Sequence, residues 1–396
     1  MTDRPEARTA EHHTALASLV TAIRQLRGLT DQIGPFPLPS DADDRAPELV
    51  AALCRTLDVP LTFDAPTSGR AKDYAADALA TEIRQAQRAP ELADLGAEEI
   101  ARLVADARRI ADAQDEGYRR RTVTRPDGTV LTVVETGPLD APCVVLSPAC
   151  AMSHWLSRPW LSALGGAYRC VVAETRGTSG PIDDPEAFDA RGHDVPTQTG
   201  DLTALIETLG TGPVHLMGMC GGAVPALLAA RERPDLIGSL SLWHADLELG
   251  AEAEKTDHQV NMRAMLDLAG ESRQTAAWMR GKLASGPLTG VPAGIGPLVA
   301  RPYATTELFY RYARLTGATM HWDSRATAAA LDSPCLLVTS RDDHIAHPAG
   351  SRRLAEILPD ARLAVTEHGT HLDAFSATAE QRDALAGFLE ECAKTR

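Results

Sequence analysis

The chain of 396 residues is poor in basic side chains and has no long apolar run. It carries 39 Lys and Arg against 54 Asp and Glu, which gives a formal net charge of -15. Because binding to phosphate backbones needs a basic surface, this balance argues against a nucleic-acid partner. No stretch approaches the ~18 consecutive apolar residues of a membrane-spanning helix, so we expect no membrane partner. The first ten residues are polar and lack the apolar core of a signal peptide, which favours a cytoplasmic location.

Paired cysteine motifs are absent as well. The seven cysteines are scattered and form no CxxC pair, so neither a zinc site nor a disulfide framework is indicated. Cys143, Cys170 and Cys335 lie in apolar runs, where we expect them to be buried as small hydrophobic side chains. The sequence therefore predicts no metal site and no cofactor-binding residues on this chain.

Residues 1–117 show a helical pattern and no chemical motif. Apolar side chains recur there at helical spacing, for example at Leu16, Leu19 and Ile23. We predict a helical N-terminal region that precedes the part of the chain carrying the chemistry.

The pattern changes at residue 118. A turn signal at Arg125 to Gly128 separates two alternating segments, which predicts a β-hairpin. Beyond it, apolar strands alternate with helices, so we predict an α/β fold with a mostly parallel central sheet covered by helices on both faces. Residues 248–331 interrupt this alternation with helical sequence alone. We predict that they form a helical lid within a domain of residues 118–396.

One segment, from Val214 to Ala223, has the pattern of a strand, a sharp turn and the start of a helix. It contains Gly218-Met219-Cys220-Gly221-Gly222, which is G-x-S-x-G with cysteine in the place of serine. Bulky side chains at the flanking glycines would collide with the crossing strand and helix. The positive end of the helix dipole also favours a thiolate at this place. Cys220 is therefore the predicted nucleophile.

From about residue 121 onward, the chain resembles the α/β-hydrolase superfamily. The resemblance lies in the hairpin, the turn around Cys220, and four further elements, Arg176-Gly177, Pro234-Asp235, Asp343 and His371. In this superfamily the nucleophile is followed along the chain by an acid and then by a histidine. The resemblance thus implies Asp343 as the acid and His371, in its Gly-x-His-Leu-Asp context, as the base.

Three neighbouring residues are alternatives for these two roles. Asp342 adjoins Asp343, and Asp246 follows the sixth predicted strand, where some hydrolases place their acid. His368 competes with His371 as the base. The resemblance favours Asp343 and His371, and the residues alone leave the alternatives open.

The resemblance also implies an oxyanion hole made of two backbone N–H groups. Gly221, next to the nucleophile, would supply one, and Cys150, in the loop after the third predicted strand, would supply the other. The superfamily usually has His-Gly in that loop, whereas this chain has Ser147-Pro148-Ala149-Cys150. Cys150 as a second nucleophile is an alternative, but no base is assigned to it.

A cysteine nucleophile changes the expected reaction. Its acyl-enzyme is a thioester, which keeps the acyl group activated for transfer to another thiol. The chain resembles the aminoacyltransferases and thioesterase-like proteins of nonribosomal peptide and polyketide assembly lines, and less closely the polyhydroxyalkanoate synthases and dienelactone-type hydrolases. The first resemblance implies an acyl- or aminoacyltransferase of natural-product biosynthesis, which takes an acyl group from a carrier-protein thioester onto Cys220.

The implied partner is an acyl carrier or peptidyl carrier protein, or an acyl-CoA-like thioester. Any phosphopantetheine would then be on the partner rather than on this chain. The alternative function is a thioesterase or ester hydrolase that uses the same Cys220, Asp343 and His371 with water as the acceptor. A second alternative is a non-catalytic binding member of the fold.

Aromatic residues and a histidine flank the predicted site. We expect Trp155, Trp160 and Trp243 to pack in the core or the lid rather than to stack on substrate. His244, at the end of the sixth predicted strand, is predicted to lie near the site as a hydrogen-bonded structural histidine.

Overall fold

The computed structural model describes residues 4–37, 46–62, 96–179, 182, 184–251, 253–283 and 293–394. Parts of the predicted N-terminal helical region and of the predicted lid, at 38–45, 63–95, 252 and 284–292, lie outside the described residues. The chain divides into two compact units, which are Met1–Glu116 with Arg280–Leu308, and Gly117–Met279 with Phe309–Arg396. Within the described ranges, no helix is long and apolar enough to cross a membrane.

The helices of the described residues are, in chain order, α1 (Arg4–Ile33), α2 (Ala46–Thr56), α3 (Ala97–Asp115), α4 (Arg158–Leu164), α5 (Pro185–Asp189), α6 (Val195–Leu209), α7 (Ala223–Glu232), α8 (Asp257–Glu271), α9 (Arg273–Leu283), α10 (Gly296–Ala300), α11 (Thr306–His321), α12 (Arg325–Ala329), α13 (Pro348–Ile357) and α14 (Ala379–Lys394). Short 3-10 helices cover His154–Ser157, Cys220–Gly222, Ala293–Ile295, Arg301–Tyr303 and His371–Phe375. The strands of the main sheet are β1 (Arg119–Thr124), β2 (Val130–Thr136), β3 (Cys143–Ser147), β4 (Arg169–Ala173), β5 (Val214–Met219), β6 (Ile237–Trp243), β7 (Cys335–Ser340) and β8 (Ala361–Thr366).

The first unit is built around α1. The apolar positions of α1 that recur at helical spacing are buried, and α3 packs beside them. The Arg24 side chain ties the two helices together, because its Nη1 donates to the Ala111 carbonyl at 3.1 Å and to Gln114 Oε1 at 2.9 Å. This unit also contains a short parallel pairing of Phe36–Pro37 with Leu61–Thr62.

Part of the predicted lid belongs to the first unit. Residues 280–308 group with the N-terminal helices, whereas 248–279 and 309–331 belong to the second unit. The short helix α10 packs against α1, and its Leu298 side chain is buried. The boundary at residue 117 and the lid at 248–331 stay predictions, and the grouping of 280–308 with the N-terminal helices is an addition to them. Apolar periodicity shows that a helix face is buried but does not show which partner buries it.

The second unit contains an eight-stranded sheet with the order β8-β7-β6-β5-β3-β4-β2-β1. The strands β1 and β2 form the predicted antiparallel hairpin, and Gly128 in its turn has a φ of 80°. The strand β4 pairs antiparallel with β2, and the remaining pairs are parallel. The predicted α/β fold class, with a mostly parallel sheet between helices, is confirmed.

The middle of the sheet is fully covered. Every residue of β3, β5 and β7 is buried, which explains why these strands appear in the sequence as continuous apolar runs rather than as alternating ones. The helix α7 packs on β5 and β6. Since the carboxyl ends of parallel strands meet at one edge of the sheet, the loops after β3, β5, β6, β7 and β8 converge there, as in other open α/β sheets that bind ligands.

Candidate active site

The nucleophile candidate lies in a tight turn between β5 and α7. Cys220 has a φ of 51°, in the left-handed region that non-glycine residues rarely adopt. A Cβ at Gly218 would lie 2.8 Å from the Ala223 Cα, and one at Gly222 would lie 2.2 Å from the Pro148 carbonyl oxygen. The two glycines therefore allow the strand, the helix and the loop after β3 to approach the turn closely.

Left-handed backbone is concentrated around this turn. Among the described non-glycine residues, five have positive φ, and three of them, Cys220, Ala151 at 59° and His244 at 46°, directly follow or lie just beyond β5, β3 and β6. Each residue in this conformation destabilises the folded state by on the order of 1–3 kcal/mol, and such backbone strain is typical of functional sites. This independent feature marks the carboxyl edge of the sheet as the candidate site.

The Asp343 carboxylate, in the loop after β7, is buried and accepts four hydrogen bonds. Its Oδ1 accepts from the backbone N–H groups of Ile345 and Ala346, both at 2.9 Å. Its Oδ2 accepts from His371 Nδ1 at 3.0 Å and from His244 Nδ1 at 2.7 Å. Burial favours the neutral acid, but the hydrogen bonds from His244 and His371 outweigh it and hold the pKa of Asp343 well below its usual range.

His371 opens the 3-10 helix after β8, and its ring is 4% exposed. The ring bonds to Asp343 through Nδ1 and also interacts with the Cys220 side chain. Burial alone would lower the pKa of His371. The negative charge of Cys220 and the hydrogen bonds to Asp343 and Cys220 raise this pKa to about 10. This arrangement suits a cysteine nucleophile with an imidazole base and a supporting carboxylate.

The structure separates the competing residues from this arrangement. Asp342 and His368 bond to each other at 3.1 Å, and their side chains are 52% and 92% exposed. Asp246 does lie close, since its backbone N–H donates to the Cys220 carbonyl oxygen at 3.4 Å. Its carboxylate accepts instead from Gln259 Nε2 at 2.6 Å, and burial raises the pKa of Asp246.

The loop after β3 closes over the turn. Ser147 Oγ donates to the Gly222 carbonyl oxygen at 2.8 Å, and Ala151 N–H donates to Thr175 Oγ1 at 3.0 Å. Cys150 is buried in this loop, and its thiol contacts Gln198 Oε1 at 3.8 Å. Burial raises the pKa of Cys150 to about 11, which keeps the thiol protonated and makes it a poor nucleophile. Cys150 and Gly221 as the oxyanion donors stay a prediction.

A cavity of about 60 Å³ adjoins this loop. It is lined by Cys150, Gly221 and Gly222 on the side of the turn, and by the polar side chains of Glu174 and Gln198 opposite. The Glu174 carboxylate binds a histidine that the sequence interpretation did not single out. His154 Nδ1 lies 2.6 Å from Glu174 Oε1, and both side chains are buried. Neither residue lies in a recognisable motif, so only the fold brings them together.

Two of the three tryptophans near the site pack in the hydrophobic core. Trp160 and Trp243 are fully buried, with ring centroids 4.8 Å apart in an edge-to-face arrangement, and Trp160 Nε1 donates to the Ala374 carbonyl at 2.7 Å. Trp155 is half-buried and carries the Arg158 guanidinium 3.8 Å above its ring. The packing role predicted for Trp160 and Trp243 is confirmed.

A metal set is conceivable at the same place, because one ligand atom from each of His244, Asp343 and His371 lies within 4.8 Å of the others. The hydrogen bonds from both histidines to the Asp343 carboxylate account for this closeness, and the His371 ring is already engaged by the Cys220 thiol. The donor set therefore fits a hydrogen-bonded acid–base site.

The chain is similar in sequence and in structure to several known proteins. The chain is 28% identical over 259 residues to "Putative carbamate hydrolase RutD" of Stutzerimonas stutzeri (strain A1501), covering 64% of this chain and 93% of the relative. The crystal structure of the enol-lactonase from Burkholderia xenovorans LB400 superposes with a TM-score of 0.52 at 21% identity, covering 69% of this chain and 100% of that one. The esterase RhEst1 from Rhodococcus sp. ECU1013 gives 0.53 at 20% identity, covering 68% and 98%.

These structural likenesses show the fold. The family model described as "alpha/beta hydrolase fold" matches residues 142–378, which is more than half of the chain and includes the ends of β3, β5, β6, β7 and β8. The chain therefore belongs to the alpha/beta hydrolase fold family.

Proposed function

We propose that the protein is a Cys-dependent hydrolase of activated acyl compounds such as thioesters and esters. The observation that carries the proposal is Cys220 in a left-handed turn, interacting with His371, which is hydrogen-bonded to the buried Asp343. The hydrolase names of the relatives favour water as the final acceptor over a second thiol. The carbamate of one relative's name is a further candidate among the acyl compounds.

The proposed reaction has two steps. The Cys220 sulfur attacks the substrate carbonyl carbon, and the backbone N–H groups of Gly221 and Cys150 stabilise the oxyanion that forms. His371 then gives its proton to the departing group, which leaves an acyl thioester on Cys220. In the second step His371 takes a proton from water, the resulting hydroxide attacks the thioester, and the acid leaves as the sulfur is released. Asp343 stabilises the imidazolium in both steps.

A second candidate is transfer of the acyl group to another thiol, and the identity of the nucleophile favours it. A thioester on Cys220 is close in free energy to an incoming thioester, so an acceptor thiol can compete with water. The donor would then be an acyl carrier or peptidyl carrier protein or an acyl-CoA-like molecule, with the phosphopantetheine on that partner.

The test uses intact-mass measurement. Mixing the protein with a panel of acyl-CoA and acyl-carrier donors should add one acyl mass, mapped to Cys220, followed by release of free acid. Faster decay of the acyl-enzyme with added thiol, and an acyl thioester of that thiol as product, would favour transfer over hydrolysis.

Cys220→Ala should neither load nor turn over, while Cys392→Ala, in α14, serves as the matched cysteine control. Full turnover by Cys220→Ala would refute a cysteine nucleophile. No loading with any donor, together with a Cys220 inert to iodoacetamide, would favour the non-catalytic alternative.

A further inference from the structure

Two histidines share one oxygen of the candidate acid. His371 Nδ1 and His244 Nδ1 both bond to Asp343 Oδ2, at 3.0 Å and 2.7 Å, so the shorter contact is to His244. The rings meet edge to face, with centroids 5.6 Å apart and an interplanar angle of 86°. Because an ionised carboxylate only accepts hydrogen bonds, both Nδ1 atoms must carry a proton. The Nε2 of His371 is thereby left to face the thiol.

His244 is held firmly in this place. It directly follows β6, is 2% exposed, and its backbone N–H donates to the Val338 carbonyl of β7 at 2.8 Å. Its φ of 46° is the left-handed conformation that turns the ring towards Asp343. A buried polar ring in strained backbone destabilises the fold unless its polar atoms are paired, and within the described residues the one hydrogen bond of this ring is to the Asp343 carboxylate.

The two oxygens of Asp343 are anchored by different means. Two backbone N–H groups, of Ile345 and Ala346, fix Oδ1. Without His244, Oδ2 would have the His371 ring as its remaining donor, and that ring must also meet the thiol. His244 is a second, fixed donor to Oδ2 and so restricts rotation of the Asp343 carboxylate. The position of Oδ2 then no longer depends on the His371 ring, which this oxygen orients.

We propose that His244 is a positioning residue, which fixes the Asp343 carboxylate through its Nδ1–H and so keeps the His371 ring directed at the Cys220 sulfur. This inference rests on the proposed function, since it assigns His244 a part in the same site. The expected consequence concerns ionisation of the Cys220 thiol. An imidazolium that is held against the sulfur favours the thiolate, whereas a loosely held imidazolium favours it less.

Other titratable groups also face this arrangement. Asp246, after β6, and His258, in α8, both interact electrostatically with His371, and Lys255 interacts with Asp246. These groups are unchanged by substitution at residue 244, so a comparison of variants at this one position isolates the effect of His244.

The experiment measures the rate of alkylation of Cys220 by iodoacetamide as a function of pH, by peptide mass spectrometry. Cys220 is the one partly exposed cysteine of the seven, which makes the probe selective without a known substrate. The variants are His244→Leu and His244→Gly, which remove the donor, and His244→Asn, whose amide nitrogen occupies the place of Nδ1. Glycine and asparagine both tolerate left-handed backbone, so these two variants remain informative if the leucine variant does not fold.

We expect the acid limb of the rate profile to move by about one pH unit towards alkaline pH in the donorless variants, which is about tenfold slower alkylation below the midpoint. His244→Asn should bring the midpoint back close to that of the unsubstituted protein. An unchanged midpoint in His244→Gly would overturn the proposal, as would an equal loss of rate at every pH in all three variants. Turnover by Cys220→Ala would instead refute the proposed function, whatever the behaviour of the variants at residue 244.

Discussion

Replacing Gly222 by alanine tests the close contact between the nucleophile turn and the loop after β3. A Cβ at this residue would lie 2.2 Å from the Pro148 carbonyl oxygen, 2.4 Å from the Ser147 carbonyl oxygen and 2.8 Å from the Pro148 carbonyl carbon. All three are backbone atoms, so no side chain can swing away to make room. The φ of −66° and ψ of −12° at Gly222 suit alanine, and the whole penalty is therefore steric.

The magnitude follows from these distances. Overpacking in a well-packed region costs about 1–3 kcal/mol, and a backbone obstacle favours the upper end of that range. Alanine recovers about 0.4–1 kcal/mol through the reduced entropy of the unfolded chain. We expect a net loss of about 2 kcal/mol in the free energy of unfolding. Relief of the clash should also shift the loop after β3, which carries Cys150, and losing one oxyanion donor typically lowers turnover by about 10²–10³-fold.

Urea unfolding and turnover of a loaded acyl donor measure the two effects separately. The matched control is Gly387→Ala in α14, where a new Cβ meets nothing within 4 Å, and there we expect a gain of about 0.5–1 kcal/mol. Alkylation of Cys220 should stay within a few-fold of the original rate, because the thiol and His371 are not displaced. A Gly222→Ala protein with unchanged stability and unchanged turnover would refute the argument for close packing at this turn.

Three further predictions concern the acid, the base and pH. Asp343→Asn should lower turnover by about 10³–10⁴-fold, whereas Asp342→Asn should leave it within a few-fold, and equal losses in the two variants would contradict the assignment of the acid. His371→Gln should slow the alkylation of Cys220 at neutral pH, because the thiol loses its imidazole partner, and His368→Gln should not. The pKa of His371 is raised from 6.5 to about 10 in the folded protein, so its stabilisation is complete below pH ~6.5 and is lost as the pH rises towards 10. The free energy of urea unfolding should therefore fall between these pH values, and less steeply in Cys220→Ala; identical slopes would show that the charge of the thiolate does not raise this pKa.

Local patterns were enough to predict the second unit. The change from helical spacing to alternating strands and helices near residue 118, and the glycines on either side of Cys220, each have a cause that acts within a few residues. The burial of every residue of β5 and the close contacts of Gly218 and Gly222 are the structural counterparts of those patterns. The packing of α10 on α1 was not predicted, because it joins residues that are far apart in the chain.

The competition between Asp342 and Asp343 shows why the site could be predicted only in part. The two residues are chemically identical neighbours in one loop, and no spacing rule based on side-chain chemistry distinguishes them. What distinguishes them is the backbone that follows, because the N–H groups of Ile345 and Ala346 point at Asp343 and give it a buried, prearranged place.

The same reasoning explains why the sequence did not predict the role that we propose for His244. In the sequence it is an isolated histidine after an apolar strand, a context in which a satisfied structural role is the simplest expectation. Its importance depends on a left-handed φ that no local sequence signal requires, and on a carboxylate that lies 99 residues further along the chain. The side chains that we propose to act on the nucleophile directly were thus accessible to motif and resemblance. A side chain that acts through Asp343 became visible only when the strand ends were brought together, and for that reason the residue-244 variants test a part of the site that the motif does not contain.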